Sequence, residues 1–209
     1  RDELLHRVKN FRFRDWKDIK HDPDIINGRL LHNRVGYTLE DQLPILLGLR
    51  GEPWLGPYEE ELLEKIPKEG ISRAELFADY PKGKEHFPIQ RSIKSALANL
   101  ERQLIVGKKY IELPNRKRSL ALFHRIYGVV EPMSFPEAVT ALIERIGPVR
   151  LHTLRFFVTR PVEELAEVLR DLETSKKIVR IVALQPEPTD YYSSEIDAES
   201  LLSPMAEDR

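Results

Sequence analysis

Residues 88–125 of this 209-residue chain are PIQRSIKSALANLERQLIVGKKYIELPNRKRSLALFHR, and this stretch decides the fold. Its first half repeats apolar residues at three- and four-residue spacing, which is typical of one face of an amphipathic helix. The predicted buried face consists of Ile89, Ile93, Leu97, Leu100 and Leu104. The polar residues Arg91, Lys94, Asn99 and Arg102 fall off that face, so we expect them to lie in solvent.

The second half of the same stretch predicts a β-hairpin. Two runs of alternating apolar residues, around 109–113 and 120–124, flank the segment PNRKRS. Proline, asparagine and serine favour turns, so this segment should form the tip. A basic helix followed directly by a hairpin with a cationic tip is the layout of a winged helix. In such domains the helix lies in the major groove of DNA and the hairpin, or wing, contacts the backbone nearby.

The residues before this helix complete the order of a winged helix. Tyr58, Leu62 and Ile66 lie at helical spacing. Ser72 and Glu75 then form the pattern of a capping box, in which each residue satisfies a backbone N–H of the other. We therefore expect three helices and a hairpin over residues 57–130.

The same order of elements occurs a second time over residues 131–202, at a period of roughly 75 residues. Ser134 and Glu137 form another capping-box pattern, and a helix is predicted from Pro161 to about residue 173. KKIVRIVAL and TDYYSSEI should pair as strands across QPEP. The expected fold class is mainly α with small β-hairpins (α+β), arranged as tandem winged-helix domains.

The remaining residues are expected to form an N-terminal segment, 1–56, and a tail, 203–209. We expect the N-terminal segment to be partly helical, with Thr38 as the N-cap of a helix that includes Leu43 and Leu46. Asn27-Gly28 is a strong hairpin dipeptide and predicts a turn at that point.

Charge distinguishes the two predicted units. Between Lys82 and Arg125 there are eleven lysines and arginines against three acidic residues. Between Glu131 and Ser175 there are five arginines against eight acidic residues. The first unit therefore has the positive charge that attracts phosphate, and the second does not. We expect the first unit to bind duplex or junction DNA and the second to serve as a structural partner or to contact a protein.

Eight cations are candidate DNA contacts because of their predicted positions on the helix and the wing. They are Arg91, Lys94, Arg102, Lys108, Lys109, Arg116, Lys117 and Arg118. Charged residues on an exposed helix face or at a turn are often only solvated, so this alternative remains open for each of them. Trp16 and Trp54 offer aromatic surfaces for stacking on an unpaired base, but we expect them to pack between domains.

Catalytic and cofactor chemistry finds little support in the sequence. There is no cysteine, the six histidines are scattered, and no glycine-rich phosphate loop occurs. We expect no catalytic residue, no metal and no cofactor. No apolar run is long enough to span a bilayer, so we expect no membrane partner and a cytoplasmic location. High charge, the absence of cysteine and fifteen prolines fit a thermophile.

Three segments carry a resemblance to a known family. LED-LPILLGLRG, RIYGVVEP and GPVRLHTLRFF occur in the order found in the AlkZ-like winged-helix DNA-binding family. The chain resembles that family over residues 39–202, and it is also similar to winged-helix modules in the C-terminal regions of Lhr-type helicases. The resemblance implies a tandem winged-helix scaffold, DNA as the ligand and a place in a larger DNA repair or processing protein.

The glycosylase branch of that family uses catalytic glutamines in a Gln-x-Gln motif. In this chain Gln42, Gln90, Gln103 and Gln185 each stand alone, so the resemblance assigns no catalytic residue. Three hypotheses follow: a DNA-binding module, which we favour; a DNA glycosylase of the AlkZ-like type; and a tandem winged-helix module for protein–protein interaction.

Overall fold

A computed structural model describes residues 25–31, 34–81, 83–110, 118–183 and 189–195. Helices and small antiparallel sheets alternate along these residues, which confirms the predicted α+β class. The strands are β1 (Ile25–Leu31), β2 (Arg34–Leu39), β3 (Ile71–Ser72), β4 (Val106–Tyr110), β5 (Arg118–Leu122), β6 (Val149–Arg150), β7 (Val179–Ala183) and β8 (Thr189–Ser193). The helices are α1 (Leu43–Gly48), α2 (Pro57–Glu64), α3 (Arg73–Leu76), α4 (Phe87–Arg102), α5 (Phe123–Tyr127), α6 (Phe135–Ile146), α7 (Leu151–Leu154) and α8 (Val162–Thr174).

Two three-stranded sheets have the same topology. In the first, β5 lies between β3 and β4, and in the second, β8 lies between β6 and β7. Each sheet consists of a two-residue strand before a short helix and a hairpin after a long helix. We call α2 to β5 the first unit and α6 to β8 the second unit. The two units therefore share an order of helices and strands, while the tandem repeat and the domain boundaries remain predictions.

The long helix of the first unit, α4, buries the predicted face. Ile93, Leu97 and Leu100 are at most 1 % exposed and pack with Leu62 of α2 and Leu120 of β5.

The prediction that Ile89 belongs to this buried face is wrong, because its side chain is 40 % exposed. Ile89 lies in the first turn of α4, whereas the buried cluster begins one turn later, at Ile93.

The second unit forms a core of its own. Val139, Ile143, Leu165 and Leu169 come from α6 and α8, and they are joined by Leu49 from the segment that follows α1. Both predicted capping-box pairs make the expected contacts. Glu75 accepts from the Ser72 backbone N–H at 3.0 Å, and Glu137 accepts from the Ser134 backbone N–H at 3.3 Å. The predicted third helix of this unit is present as α8.

The N-terminal hairpin of β1 and β2 differs from the sequence prediction. Asn27 and Gly28 lie within β1 and pair with Tyr37 and Gly36, so the dipeptide does not form the turn. The strands are joined through residues 32–33, which lie outside the described residues. Thr38 is the penultimate residue of β2 rather than a helix cap, since α1 begins five residues later.

The segment after α1 joins the hairpin to the second unit. The Arg50 guanidinium donates to the Leu30 carbonyl at 2.9 Å and also to the Phe157 carbonyl. In return, Arg160 Nε donates to the Arg50 carbonyl at 3.1 Å. These bonds place the start of the loop before α2 directly against the connection between α7 and α8, and so they form one side of the cleft described below.

None of the helices within the described residues is both long enough and apolar enough to cross a membrane.

Candidate nucleic-acid interface

The outward face of α4 carries a row of cations, which are exposed at the start of the helix and half-buried at its end. Arg91, Lys94 and Ser95 are exposed, and Ala98 and Arg102 continue the same face at intervals of three and four residues. In a helix such residues lie on one side, and here that side is opposite the buried leucines. The structure therefore places three of the predicted contacts, Arg91, Lys94 and Arg102, on a single surface.

Arg102 occupies a different environment from the other two cations. Its side chain is half-buried at the end of α4, where Nη2 donates to Asn99 Oδ1 at 2.8 Å. Its Nε is buried and has no hydrogen-bond partner among the described residues. Asn99 is also half-buried and donates to Glu59 at 3.0 Å, so the prediction that both side chains lie in solvent is wrong. The cause is contact with other parts of the chain, which helical spacing does not reveal.

Lys108 is paired within the protein. Its Nζ lies 3.3 Å from Oε1 of Glu101, whose side chain is 6 % exposed. The same carboxylate lies 3.0 Å from Arg29 Nε on β1. Since the carboxylate neutralises part of this positive charge, Lys108 offers less attraction to phosphate than an exposed lysine would.

The remaining predicted contacts lie on or beside the hairpin. Lys109 pairs with Ser119, and Tyr110 pairs with Arg118, in the β4–β5 ladder. These pairings place Lys109 and Arg118 at the distal end of the hairpin, and their side chains are outside the described part of the structure. Arg116 and Lys117 lie outside the described residues altogether. DNA contact by these four residues stays a prediction.

A cleft of about 440 Å³ lies at the end of α4. It is bounded by α4, by the start of α2, by the loop before α2 and by Thr159. Its lining residues are Glu52, Trp54, Glu59, Ser95, Ala98, Asn99, Arg102, Gln103 and Thr159. Its volume lies within the ~300–1,000 Å³ range typical of small-ligand sites.

Trp54 lies at this cleft with 71 % of its side chain exposed. Its backbone carbonyl accepts from Gln103 Nε2 at 3.2 Å, which ties its loop to the end of α4. The indole lies against Gly56, because a β-carbon placed on Gly56 would be 3.0 Å from Cη2 of the ring. The expectation that Trp54 packs between domains is wrong, since most of the indole contacts solvent.

A second cavity of about 180 Å³ adjoins the first, since Arg102 and Thr159 line both. Arg155 and Arg160 supply two further guanidinium groups, and no acidic residue is among those that line it. Arg155 is exposed, whereas Arg160 forms an ion pair with Glu164.

Arg50 is a further arginine near the start of the loop before α2, and its side chain is buried. It is 6 % exposed, and its pKa is lowered to about 10, first by burial and then by the positive charge of Arg102.

The exposed side of α8 in the second unit is acidic. Glu163, Glu167, Asp171 and Glu173 are exposed there, together with Arg170. This surface would repel a phosphate backbone, in agreement with the charge distribution in the sequence. Within the described ranges, no group of three or more His, Cys, Asp or Glu side chains is arranged to hold a metal ion.

Glu59, Asn99 and Gln103 are the cleft residues that sequence reasoning missed. Glu59 lies in α2, whereas Asn99 lies 40 residues later near the end of α4 and Gln103 directly follows that helix, and no motif connects them. Trp54 was the one available signal, because an unpaired aromatic residue beside a proline-rich loop is a candidate for stacking.

Comparison with known proteins finds similarity of fold. No protein-family profile matches the chain, and comparison with curated proteins found no match. Among solved structures, the DNA glycosylase AlkZ of Streptomyces sahachiroi is similar, with a TM-score of 0.60 at 14 % sequence identity. The match covers 91 % of this chain and 56 % of the AlkZ chain, so it takes in little more than half of that protein. The chain has an AlkZ-like fold.

Proposed function

We propose that this chain is a DNA-binding module built from two tandem winged helices, and that it belongs to a larger DNA repair or processing protein. In this proposal α2, α3 and α4 are the three helices of the first winged helix, and the β4–β5 hairpin is its wing. The second unit repeats the arrangement with α6, α7 and α8. The resemblance to modules of Lhr-type helicases and a cytoplasmic location belong to the same proposal.

The observation that carries the proposal is the cationic outward face of α4. Arg91 and Lys94 are exposed on the side of the helix opposite its core, and the hairpin begins four residues after the helix ends. In a winged helix this side of the third helix enters the major groove, and the cations contact phosphates or base edges. The similarity to a DNA glycosylase supports DNA as the partner, although it concerns the fold alone.

The proposal is tested by gel-shift titration of single-stranded, duplex and forked DNA, each over a series of salt concentrations. Each phosphate neutralised by the protein releases counterions, so the logarithm of affinity should fall linearly with the logarithm of salt, by about 0.9 per contact for duplex DNA. Absence of binding to every DNA at low salt would contradict the proposal.

A second candidate is DNA glycosylase activity, which the structural similarity to AlkZ favours. We expect no release of bases, because the chain contains no Gln-x-Gln motif. The measurement is the number of abasic sites in alkylated DNA after incubation, compared with heat-inactivated protein. An excess of abasic sites would establish the glycosylase and show that other side chains supply the chemistry.

A third candidate is protein interaction through the second unit, which the acidic outward side of α8 favours. A module with this role alone would not bind heparin or random DNA at low salt. The same titrations therefore separate it from the DNA-binding module.

A further inference from the structure

We propose that the cleft at the end of α4 binds one unpaired nucleotide of a DNA strand, with the base against Trp54 and the phosphate among Arg102, Arg155 and Arg160. This inference rests on the proposed DNA binding and makes it more specific: the preferred ligand is duplex DNA with an adjoining single-stranded segment.

The base is assigned to the larger cavity because of Trp54. Trp54 is 71 % exposed, so most of its flat aromatic surface is accessible to a base. Gly56 lies against the indole, so the ring is held on that side without a competing side chain. Every base has a flat π surface, and stacking on an aromatic side chain is therefore tolerant of sequence.

Polar groups around Trp54 suit the edge of a base. Glu59 is 7 % exposed and is held in place by the hydrogen bond from Asn99. Gln103 Oε1 and Arg102 Nε are buried atoms without a hydrogen-bond partner among the described residues. An unpaired acceptor and an unpaired donor on one wall are costly until a ligand satisfies them, and base edges present both kinds of group.

The distribution of charge sets the orientation of the nucleotide. Glu52 and Glu59 line the larger cavity and would repel a phosphate. The smaller cavity is lined by three arginines and no acidic residue, and one of the three, Arg160, is paired with Glu164 beside it. Each guanidinium group can bind two phosphate oxygens at once, and Arg155 is exposed for such a contact. Arg102 lines both cavities, so one nucleotide can place its base in the larger and its phosphate in the smaller.

The position of the cleft connects it to the outward face of α4. Arg91 and Arg102 lie on the same side of the helix, eleven residues or about 16 Å apart. A single-stranded segment that continues from a duplex held at Arg91 and Lys94 could therefore reach the cleft along this side of the helix. This continuity favours a nucleotide that is part of a strand over a free mononucleotide.

The test compares three DNA ligands that share one duplex: blunt, with an overhang of several nucleotides, and with an overhang of abasic residues. Wild-type protein should bind the overhang ligand more tightly than the blunt one, and the abasic overhang should lose most of this advantage. Trp54→Ala should weaken binding of the overhang ligand by ~5–140-fold, which corresponds to ~1–3 kcal/mol of stacking, while leaving the blunt duplex unaffected. Trp54→Phe should retain much of the advantage.

Fluorescence provides a second measurement. The chain has two tryptophans, so in a Trp16→Phe background the emission comes from Trp54 alone. Stacking of a base should quench it on titration with the overhang ligand and not with the blunt duplex. A free deoxynucleoside monophosphate should compete only weakly, and competition as strong as that of the overhang DNA would overturn the assignment to a strand.

Two results would overturn the inference while leaving DNA binding intact. One is equal affinity of the wild type for blunt and overhang ligands, with no quenching of Trp54. The other is an advantage of the overhang that survives Trp54→Ala. If instead no ligand binds, including the blunt duplex, the proposed function itself fails and the inference fails with it.

Discussion

Arg29 Nε on β1 lies 3.0 Å from Glu101 Oε2 in the last turn of α4. Lys108 of β4 approaches the other oxygen of the same carboxylate at 3.3 Å. The carboxylate is nearly buried, whereas the two cations are partly exposed. One acidic side chain therefore joins the N-terminal hairpin, the long helix α4 and strand β4 of the first unit.

Glu101→Gln should lower the free energy of unfolding by about 1–3 kcal/mol, because it removes the nearly buried carboxylate charge that pairs with Lys108 and with Arg29. Solvent screening of the exposed portions of Arg29 and Lys108 keeps the loss below that of a fully buried pair. Urea unfolding measures the change. Glu163→Gln, at an exposed position of α8, is the matched control and should stay within about 0.5 kcal/mol. Equal stability of the two variants would show that the ion cluster contributes nothing.

Arg91→Ala combined with Lys94→Ala should weaken duplex binding and flatten its salt dependence. Loss of two phosphate contacts should reduce the slope of log affinity against log salt by about 1.8, at 0.9 per contact. The reduction should be similar for unrelated DNA sequences, since phosphates carry no sequence information. Fluorescence anisotropy over a salt series measures it.

Arg170→Ala is the control for that double variant, because Arg170 is also exposed on a long helix but has acidic neighbours on α8. It should leave the slope unchanged. If both variants bind with the wild-type slope, the outward face of α4 is not the DNA-binding surface.

Arg116→Ala, Lys117→Ala and Arg118→Ala together should also weaken DNA binding without unfolding the protein. This prediction rests on the sequence, which places the three cations at the hairpin tip. The slope of log affinity against log salt should fall by about 1–3, depending on how many of the three contact phosphate. Thermal unfolding should change little, since substitutions at exposed turns usually alter stability by less than about 0.5 kcal/mol. An unchanged slope would exclude the wing from the interface.

Tyr127→Phe should protect the protein at high pH. Burial, with a smaller effect of Glu40, raises the pKa of the Tyr127 phenol to about 12 from its ordinary value of 10.0. Between these two values the unfolded chain loses this proton and the folded chain keeps it, so stability falls as pH rises through about 10 to 12. The phenylalanine variant lacks this contribution, and its unfolding free energy should decline less over that range. Parallel declines in urea titrations at pH 9, 10 and 11 would contradict the prediction.

Gly48→Ala should destabilise the protein, because α1 lies very close to the segment before α6 at this point. A β-carbon on Gly48 would lie 2.5 Å from the Met133 carbonyl oxygen and 2.8 Å from Cβ of Ala138. Overpacking of this kind costs about 1–3 kcal/mol. Gly51→Ala is the control, since its β-carbon would lie 3.4 Å from Cγ and 3.9 Å from Cα of Arg160, which are ordinary contact distances. Chemical denaturation measures the free energy of unfolding of both variants, and an equal change in the two would contradict the prediction.

Local pattern was sufficient to predict much of the fold. The spacing of Ile93, Leu97 and Leu100 predicted the buried face of α4 because helical periodicity and burial coincide there. The two capping boxes were predictable because each involves residues only three positions apart. The turn predicted at Asn27-Gly28 is absent, because pairing of these residues with Tyr37 and Gly36 of β2 overrides their local preference for a turn.

The site was harder to predict, since it depends on contacts between distant segments. Arg91 and Lys94 were found because an exposed helix face is a local property. The cleft brings Trp54 to the end of α4, and Thr159 reaches it from more than one hundred residues further along the chain. Residue spacing in a single sequence does not predict a contact between segments so far apart in the chain. Lys108 was predicted from the sequence as a DNA contact. The structure pairs it with the buried Glu101, and sequence spacing did not identify this partner.

The short helix α1 divides its apolar residues between two cores. Ile45 packs into the second unit, whereas Leu43 and Leu46 pack in a cluster with Leu104 of the first unit and Phe123 of α5. Removal of α1 would therefore take apolar partners from both clusters at once. A truncated chain that starts at α2 should expose apolar surface at both places, and such surface promotes aggregation.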